Sequence, residues 1–171
     1  MTTALFIGDT RKGLDVALRA IAATPEVQLA IVSRSSPAEH LELAQSLGAG
    51  DRVHLLGALN DPTLAYEAVD LLLHPTIYDT FGLVVAEAMA MGVPAVVTEH
   101  AGISELISHE HDGYVVRGDP VEGTAAGLSE LSSSATLRDQ MGRAAKETAA
   151  ARDWDTVARE TMAVYEQVAK Q

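Results

Sequence analysis

Six short runs rich in Val, Ile and Leu, each followed by a longer stretch, most constrain how this chain folds. The runs read ALFIG, VQLAIVS, RVHLL, DLLLH, PAVVT and GYVV and occupy residues 4–8, 27–33, 52–56, 70–74, 94–98 and 113–116. Nearly continuous apolar runs of this length are typical of strands buried on both faces. Each run is followed by ten or more residues of helix-like pattern, so we expect helices to cover the strands on both sides.

The alternation predicts an α/β fold, a doubly wound (Rossmann-like) parallel sheet of about six strands with helices on both faces. From Pro120 onward only helical patterns remain, which predicts a helical C-terminal tail. A capping residue followed by proline marks three helix starts, at Ser36-Pro37, Asp61-Pro62 and Asp119-Pro120. No linker or repeat divides the chain, so residues 1–171 are expected to form a single domain.

The last predicted helix carries one apolar stripe at helical spacing. Its members are Trp154, Val157, Ala158, Thr161, Met162, Tyr165 and Val168. A stripe of this kind packs against another surface. Just before it, Asp153 and Asp155 have the Asp-x-Asp spacing that holds a metal in many sugar-transfer enzymes. Helix capping by Asp153 and the helix dipole acting on Asp155 explain the pair without a metal, so we predict no metal site.

Composition excludes several classes of function. The chain has 12 Lys and Arg against 24 Asp and Glu, a net charge of -12, which disfavours a nucleic-acid partner. It contains no Cys, so it has neither disulfides nor thiolate metal sites. The longest apolar window, residues 82–97, is interrupted by Glu87 and Pro94 and is too short to span a membrane. We expect a cytoplasmic protein with no transmembrane segment.

The loop after the first predicted strand, GDTRKGLD at residues 8–15, has the glycine spacing of a phosphate-binding P-loop. Leu14 and Asp15 stand where that loop needs Lys and Ser or Thr, so the P-loop interpretation fails. A dinucleotide fingerprint is also absent. Arg11 and Lys12 remain, just before a predicted helix. They can bind a phosphate at the helix N-terminus, or they are solvated charges, which this segment alone favours.

The segment YDTFGLVVAEAMAMGVP, residues 78–94, places two carboxylates in an apolar run. A carboxylate inside a buried helix is destabilising unless it has a partner. We expect a helix with Thr80 as its N-cap, so that Glu87 points back toward the loop that holds Asp79. The two carboxylates are then roughly 10 Å apart along the helix axis, a separation that suits two ends of an elongated ligand.

Between these carboxylates lie the free amides of Phe81, Gly82 and Leu83, at the carboxyl end of a strand, where doubly wound sheets bind ligands. Carboxylates suit sugar hydroxyls and amides suit phosphates, so a sugar nucleotide matches the order of groups. Capping by Asp79 and a core ion pair between Glu87 and an Arg or Lys explain the spacing equally well. His74 either completes the edge of the core or faces the site.

These residues resemble the retaining glycosyltransferases of family 4, whose two-domain GT-B fold holds a nucleotide-sugar donor in the C-terminal domain. The similarity covers nearly the whole chain and is densest over residues 70–97, which contain the carboxylate-x7-carboxylate pattern. RKGLD resembles the family's phosphate-binding Lys-Gly, and RDWDTVARETMAVYEQ resembles its closing helix. The resemblance implies transfer of a hexose with retention of configuration, without a metal or other cofactor.

The resemblance also implies a role for each site residue. Asp79 would contact the transferred sugar and Lys12, with Arg11, would neutralise the departing diphosphate, which makes Asp79 and Lys12 the catalytic pair. Glu87 would bind the ribose hydroxyls. The amides around Thr80, Phe81, Gly82 and Leu83 would meet the sugar and the phosphates.

The implied substrates are a nucleotide-sugar donor and a saccharide or glycolipid acceptor, as in polysaccharide or glycolipid assembly. A UDP-sugar is the expected donor, with ADP- and GDP-sugars as alternatives. A longer enzyme of this kind would work in the cytoplasm, at the inner face of the membrane.

Four features depart from the family. It usually has Glu where Asp79 stands, and Asp9 occupies the place of a common Arg in a shortened first loop. SRSSP, residues 33–37, replaces a glycine-rich turn, and Arg34 is a candidate for the missing charge. Nothing here corresponds to the N-terminal acceptor domain, so we expect half an enzyme that is inactive alone. The alternative is a non-catalytic module that binds a nucleotide or a protein.

Overall fold

The fold is known from a computed structural model, which describes residues 1–34 and 38–170. Six parallel strands form one sheet in the order β3-β2-β1-β4-β5-β6. The strands are β1 Thr2–Ile7, β2 Val27–Val32, β3 Val53–Gly57, β4 Leu71–His74, β5 Ala95–Thr98 and β6 Tyr114–Val116. All six coincide with predicted runs, so the predicted α/β doubly wound fold is confirmed.

Seven α-helices accompany the sheet in the described part of the chain: α1 Leu14–Ala23, α2 Ala38–Ser46, α3 Thr63–Glu67, α4 Leu83–Ala90, α5 Pro120–Ser133, α6 Ala135–Ala150 and α7 Trp154–Val168. Three 3-10 turns add to them, Thr10–Lys12, Gly50–Arg52 and Gly102–Leu106. The helical tail is confirmed.

The expectation of ten or more helical residues after each strand is wrong in the middle of the chain. Helix α3 has five residues, α4 has eight, and β5 is followed by the 3-10 turn Gly102–Leu106. Helix α4 is short because Gly82 enters it with a left-handed backbone, and Gly92, also left-handed, follows its C-terminus.

Helices cover the sheet on both faces because the strand residues alternate. Leu5 packs with Val85 and Val97 on the side of α4, whereas Phe6 packs with Leu18 and Leu29 on the side of α1 and α5. Successive side chains of a strand point to opposite faces, so two separate apolar layers hold the sheet between them. Strands β4 and β5 are fully buried, as the unbroken apolar runs required. The same expectation is wrong for the edge strand β3, in which only Val53 is buried.

The capping residues behave largely as expected. Asp119 accepts hydrogen bonds from the amides of Val121 and Glu122, and Asp153 accepts one from Thr156, which confirms both as N-caps. Asp61 accepts from the amide of Thr63, so this helix begins one residue later than predicted. The predicted start at Ser36-Pro37 lies outside the described residues.

Helix α7 ends the described chain with its apolar stripe in the open. None of its residues is buried, and the side chains of the stripe are well exposed, with Trp154 at 76%, Met162 at 55% and Tyr165 at 64%. The prediction that this stripe packs against another surface is therefore not met within the described residues.

Candidate functional site

The strand order reverses direction between β1 and β4, the two neighbouring strands at the centre of the sheet. The chain leaves β1 toward β2 on one side, and β4 continues toward β5 on the other. At such a reversal, doubly wound sheets bind ligands in a crevice outside the carboxyl ends of the strands. The loops after β1 and β4 are the ones that carry the predicted site residues.

Lys12 and Asp79 meet in this crevice. The Lys12 Nζ atom lies 2.7 Å from Asp79 Oδ2, and the two side chains are 33% and 14% exposed. Burial by itself raises the pKa of the Asp79 carboxyl, and the hydrogen bond and charge of Lys12 outweigh it, so the pKa lies below its ordinary value. Asp79 is therefore an anion that is paired with the Lys12 cation and largely shielded from water.

His74, at the end of β4, is the third residue that contacts the Lys12–Asp79 pair. Its side chain is 1% exposed and its Nε2 lies 3.1 Å from the same Asp79 oxygen. Burial lowers the pKa of His74 more than the Asp79 charge raises it, so the imidazole is neutral near pH 7. A neutral ring with its proton on Nε2 donates to Asp79. Of the two possibilities left open by the sequence, His74 satisfies both, as a buried residue that faces the site.

The position of Lys12 depends on a tight loop. Asp9 caps the 3-10 turn Thr10–Lys12, and Gly13 follows it with φ 81°. A Cβ at Gly13 would overlap the carbonyl oxygen of Pro75. Only glycine permits both this backbone and this contact, so the loop after β1 sits directly against the loop after β4.

Arg11 is placed differently from Lys12. Its guanidinium donates to Asp9, with Nη2 2.8 Å and Nε 3.2 Å from Oδ2, and its side chain is 85% exposed. The hydrogen bond from Arg11 holds the pKa of Asp9 below its ordinary value. Asp9, the residue found where the family commonly has an Arg, thus neutralises the neighbouring Arg11.

Glu87 is exposed, and the expectation of a carboxylate in a buried helix is wrong. Helix α4 buries Val85, Ala88 and Met89 instead. The alternative of a core ion pair with Arg or Lys is also wrong, because Glu87 Oε2 accepts a 2.7 Å hydrogen bond from the hydroxyl of Tyr66. The pattern misled because exposed apolar residues on α4, such as Leu83, hide which face of the helix is buried.

A cleft of about 690 Å³ opens beside Glu87. Its walls come from the ends of β1 and β2 and from the segment around Pro62: Ile7, Gly8, Asp9, Val32, Ser33, Arg34, Ala58, Leu59, Asn60, Pro62, Val84 and Glu87. Arg34, the candidate for the missing charge, lines it with Glu87. Lys12 and Asp79 do not line the cleft. Lys12 adjoins it at Gly8, where a Cβ would lie 2.9 Å from Lys12 Cγ.

Of the three amides predicted to be free in the turn before α4, that of Phe81 has an acceptor, Asp79 Oδ1, and Thr80 is not the N-cap. Gly82 takes that position with φ 100°. The residues before it are tied to the 3-10 turn Gly102–Leu106, since the amides of Gly102 and Ile103 donate to the carbonyls of Asp79 and Phe81. Among the described residues, the amides of Gly82 and Leu83 have no acceptor. Asp79 Oδ1 accepts only a long 3.4 Å contact from the Phe81 amide, so its role as a cap is minor.

Sequence reasoning missed Tyr66 as a residue of the site and left His74 undecided. The only signal for His74 was its place at the end of an apolar strand. For Tyr66 there was none, because its partner lies 21 positions away. His109 and His111 are exposed, and His109 Nδ1 accepts a hydrogen bond from the Val115 amide.

Two predicted absences concern metals and membranes. Residues 1–34 and 38–170 contain no group of three or more His, Asp or Glu that is arranged to hold a metal ion. No helix in those same ranges is long and apolar enough to cross a membrane. Metal-independent chemistry and a cytoplasmic location, with the inner membrane face for a longer enzyme, stay predictions.

A doubly wound parallel sheet with charged side chains and backbone amides gathered at the carboxyl ends of its central strands defines a Rossmann-like domain. The family model of the glycosyl transferases group 1 matches residues 4–148. The chain belongs to this family of transferases, and its fold is that of one half of a GT-B enzyme.

Relatives agree with this assignment. An uncharacterized glycosyltransferase of Methanocaldococcus jannaschii is 33% identical over 94% of this chain and 44% of its own length. A phosphatidyl-myo-inositol mannosyltransferase of Mycobacterium leprae is 32% identical over 98% of this chain and 47% of its own.

Among solved structures, sucrose-phosphate synthase from Thermosynechococcus elongatus superposes with a TM-score of 0.85 at 28% identity, over 98% of this chain and 45% of that one. The chain spans about half the length of the curated relatives just described.

Proposed function

We propose that this chain is the donor-binding domain of a retaining, family 4 glycosyltransferase that moves a hexose from a nucleotide diphosphate sugar to a saccharide or glycolipid. The observation that carries the proposal is the Lys12–Asp79 pair, 2.7 Å apart at the crevice of the sheet. Beside it lie the free amides of Gly82 and Leu83 and the cleft lined by Glu87.

In the proposed complex the donor extends from the cleft to the Lys12–Asp79 pair. Its nucleoside occupies the cleft, where Glu87 accepts hydrogen bonds from the ribose hydroxyls. The diphosphate passes Gly8 and meets Lys12 and the amides at the start of α4, and the hexose lies at Asp79. Arg11 reaches the diphosphate only by leaving Asp9.

The proposed chemistry is stabilisation of the leaving diphosphate. The bond from the anomeric carbon to the diphosphate oxygen breaks, and Lys12 and the amides of Gly82 and Leu83 stabilise the charge that appears on that oxygen. Asp79, an anion by its lowered pKa, accepts hydrogen bonds from sugar hydroxyls and stabilises positive charge at the anomeric carbon. The oxygen of the acceptor hydroxyl then bonds to the anomeric carbon on the same face of the sugar, and its proton passes to the departing diphosphate.

We propose that a second domain supplies the acceptor site, so that residues 1–171 bind a donor but do not turn it over. The support is that the chain spans about half of its relatives, and that α7 has an open apolar face. In this arrangement the stripe from Trp154 to Val168 packs on the second domain.

The proposal is tested by calorimetric titration with UDP, ADP and GDP and their glucose conjugates. We expect one nucleotide to bind, and its identity gives the base. If none of the six compounds binds at millimolar concentration, the proposed donor site does not exist.

Glu87→Ala tests the ribose contact. Loss of a hydrogen bond to a charged group is expected to weaken nucleotide binding by about 1.5–3 kcal/mol. The matched control is Glu130→Ala on the last turns of α5. Its neighbour Ser132 donates a hydrogen bond to Glu26, which directly precedes β2, so this control lies near the amino ends of the strands. An affinity of Glu87→Ala equal to that of Glu130→Ala would assign Glu87 a structural role.

One observation favours a second candidate, a non-catalytic module that binds a nucleotide or a protein. The pairing of Arg11 with Asp9 neutralises one of the two cations that the resemblance assigns to the diphosphate. In that case the nucleotide binds, but the affinity does not change when Lys12 is replaced by Gln, since no diphosphate charge rests on it.

A further inference from the structure

Glu87 has a single protein partner in the described part of the chain. Its side chain stands on the exposed face of α4, and no ion pair or second hydrogen bond accompanies the one from Tyr66. An exposed glutamate without a partner samples many rotamers, and fixing it on binding a ligand costs roughly 1–2 kcal/mol of side-chain entropy. A carboxylate that is already fixed avoids that cost.

Tyr66 is suited to fix it. The ring is 2% exposed and belongs to the apolar layer between the sheet and α4, so the phenol approaches Glu87 from a rigid base. Its oxygen lies 2.7 Å from Glu87 Oε2 and 3.3 Å from the carbonyl oxygen of Val84. A phenol has one proton to donate, and the shorter contact to a charged acceptor takes it.

The hydroxyl keeps its proton throughout the working pH range. Burial raises the pKa of Tyr66, and the Glu87 carboxylate raises it further. The Tyr66 hydroxyl therefore remains a hydrogen-bond donor to Glu87 Oε2, while Oε1 has no partner among the described residues. Glu87 also lines the cleft, so this carboxylate is presented to a ligand in one orientation with one oxygen fully open.

We infer that Tyr66 is a positioning residue that presets Glu87 to read a ribose diol, and that it thereby gives the site its preference for ribonucleotides. This inference rests on the proposed function. Neighbouring 2′- and 3′-hydroxyls offer two donors, which need two acceptor lone pairs at a fixed separation. A carboxylate held through Oε2 supplies them without rearrangement, whereas a ligand without these hydroxyls gains nothing from the fixed orientation.

The test compares each of UDP, ADP and GDP with its 2′,3′-dideoxy counterpart by calorimetry on the wild-type chain and on Tyr66→Phe. Phenylalanine removes only the hydroxyl and keeps the buried ring. We expect Tyr66→Phe to bind the preferred ribonucleotide roughly 3- to 10-fold more weakly, a part of one charge-assisted hydrogen bond. The affinity for the dideoxy compound is expected to stay unchanged, so the ratio of the affinity for the ribonucleotide to that for the dideoxy compound falls.

A double-variant cycle separates action through Glu87 from a general effect on packing. In the Glu87→Ala background, Tyr66→Phe is expected to change ribonucleotide affinity by less than about twofold, since no carboxylate remains to be positioned. Tyr165→Phe, which removes the same atom from the exposed helix α7, is the matched control. Near-ultraviolet circular dichroism checks that the buried ring keeps its packing.

The outcomes are distinct. Equal weakening of the ribose and dideoxy compounds, or the same loss in the Glu87→Ala background, would make Tyr66 a merely structural residue and overturn the inference. Wild-type binding with no change in Tyr66→Phe overturns it as well. If the wild-type chain binds no nucleotide, the proposed function fails and the inference fails with it.

Discussion

Asp79 is the residue on which the site converges. Its Oδ2 atom receives both Lys12 Nζ and His74 Nε2, one a cation and the other a buried neutral ring. Removing Lys12 leaves the Asp79 carboxylate without its counter-ion, whereas removing His74 takes away a neutral hydrogen-bond donor. The two also differ in what they do for the fold, because only His74 is fully buried.

Protonation of His74 is expected to destabilise the protein in mild acid. Its pKa is lowered by burial from 6.5, so below that pH the unfolded chain takes up a proton that the folded chain refuses. The His74 contribution is thus complete above about pH 6.5 and declines below it, by at most about 1.4 kcal/mol per pH unit. Urea unfolding between about pH 5 and 7.5 measures the slope.

His74→Gln keeps a donor near the Nε2 position and does not titrate, so its slope over this range is expected to be smaller. His100→Gln, at an exposed histidine, serves as the control and should keep the wild-type slope. A His74→Gln slope equal to that of wild type would mean that another group causes the acid loss. The lowered pKa of Asp79 adds its own loss only below its ordinary value of 3.8.

At the scale of elements, caps and glycines decide where the helices begin. Helix α5 starts at Pro120 because Asp119 takes up two free amides, and α4 starts at Leu83 because Gly82 alone tolerates the left-handed turn into it. The first is local chemistry. The second follows from bonds between the loop before α4 and the 3-10 turn Gly102–Leu106, more than 20 positions later.

Asp119→Ala is expected to lower the free energy of unfolding by about 1 kcal/mol, since both capped amides lose their acceptor. Helix α5 packs on α1 and the strands, so its fraying affects the whole domain. Asp139→Ala, an exposed aspartate inside α6, is the control and should be neutral or slightly stabilising through helix propensity. Chemical denaturation measures the free energy of unfolding of the two variants, and equal m-values make the two values comparable. Equal stabilities of Asp119→Ala and Asp139→Ala would show that the cap contributes nothing.

At the scale of the molecule, α6 and α7 have opposite relations to the core. Met141 on α6 is 1% exposed and belongs to the layer with Phe6, whereas Met162 on α7 is 55% exposed. The sequence gives the two methionines similar places on amphipathic helices. Only the fold separates them.

Met141→Ala is expected to lower the free energy of unfolding by about 2–5 kcal/mol, because it leaves a cavity in a packed layer. Met162→Ala, the same change on the open face, is expected to change it by less than about 0.5 kcal/mol. Thermal and chemical unfolding of the two variants measure this difference in the free energy of unfolding. A large loss in Met162→Ala would indicate that α7 packs on the domain in solution.

The sequence by itself determined the strands, the caps at Asp119 and Asp153 and the loop that carries Asp79, because periodicity and capping act over a few neighbouring residues. Only the tertiary structure decided the site. Lys12 meets Asp79 across 67 positions, because the strand order places β1 beside β4, and Tyr66 meets Glu87 because α3 and α4 share one apolar layer. Such contacts depend on how distant elements pack, which no local pattern contains.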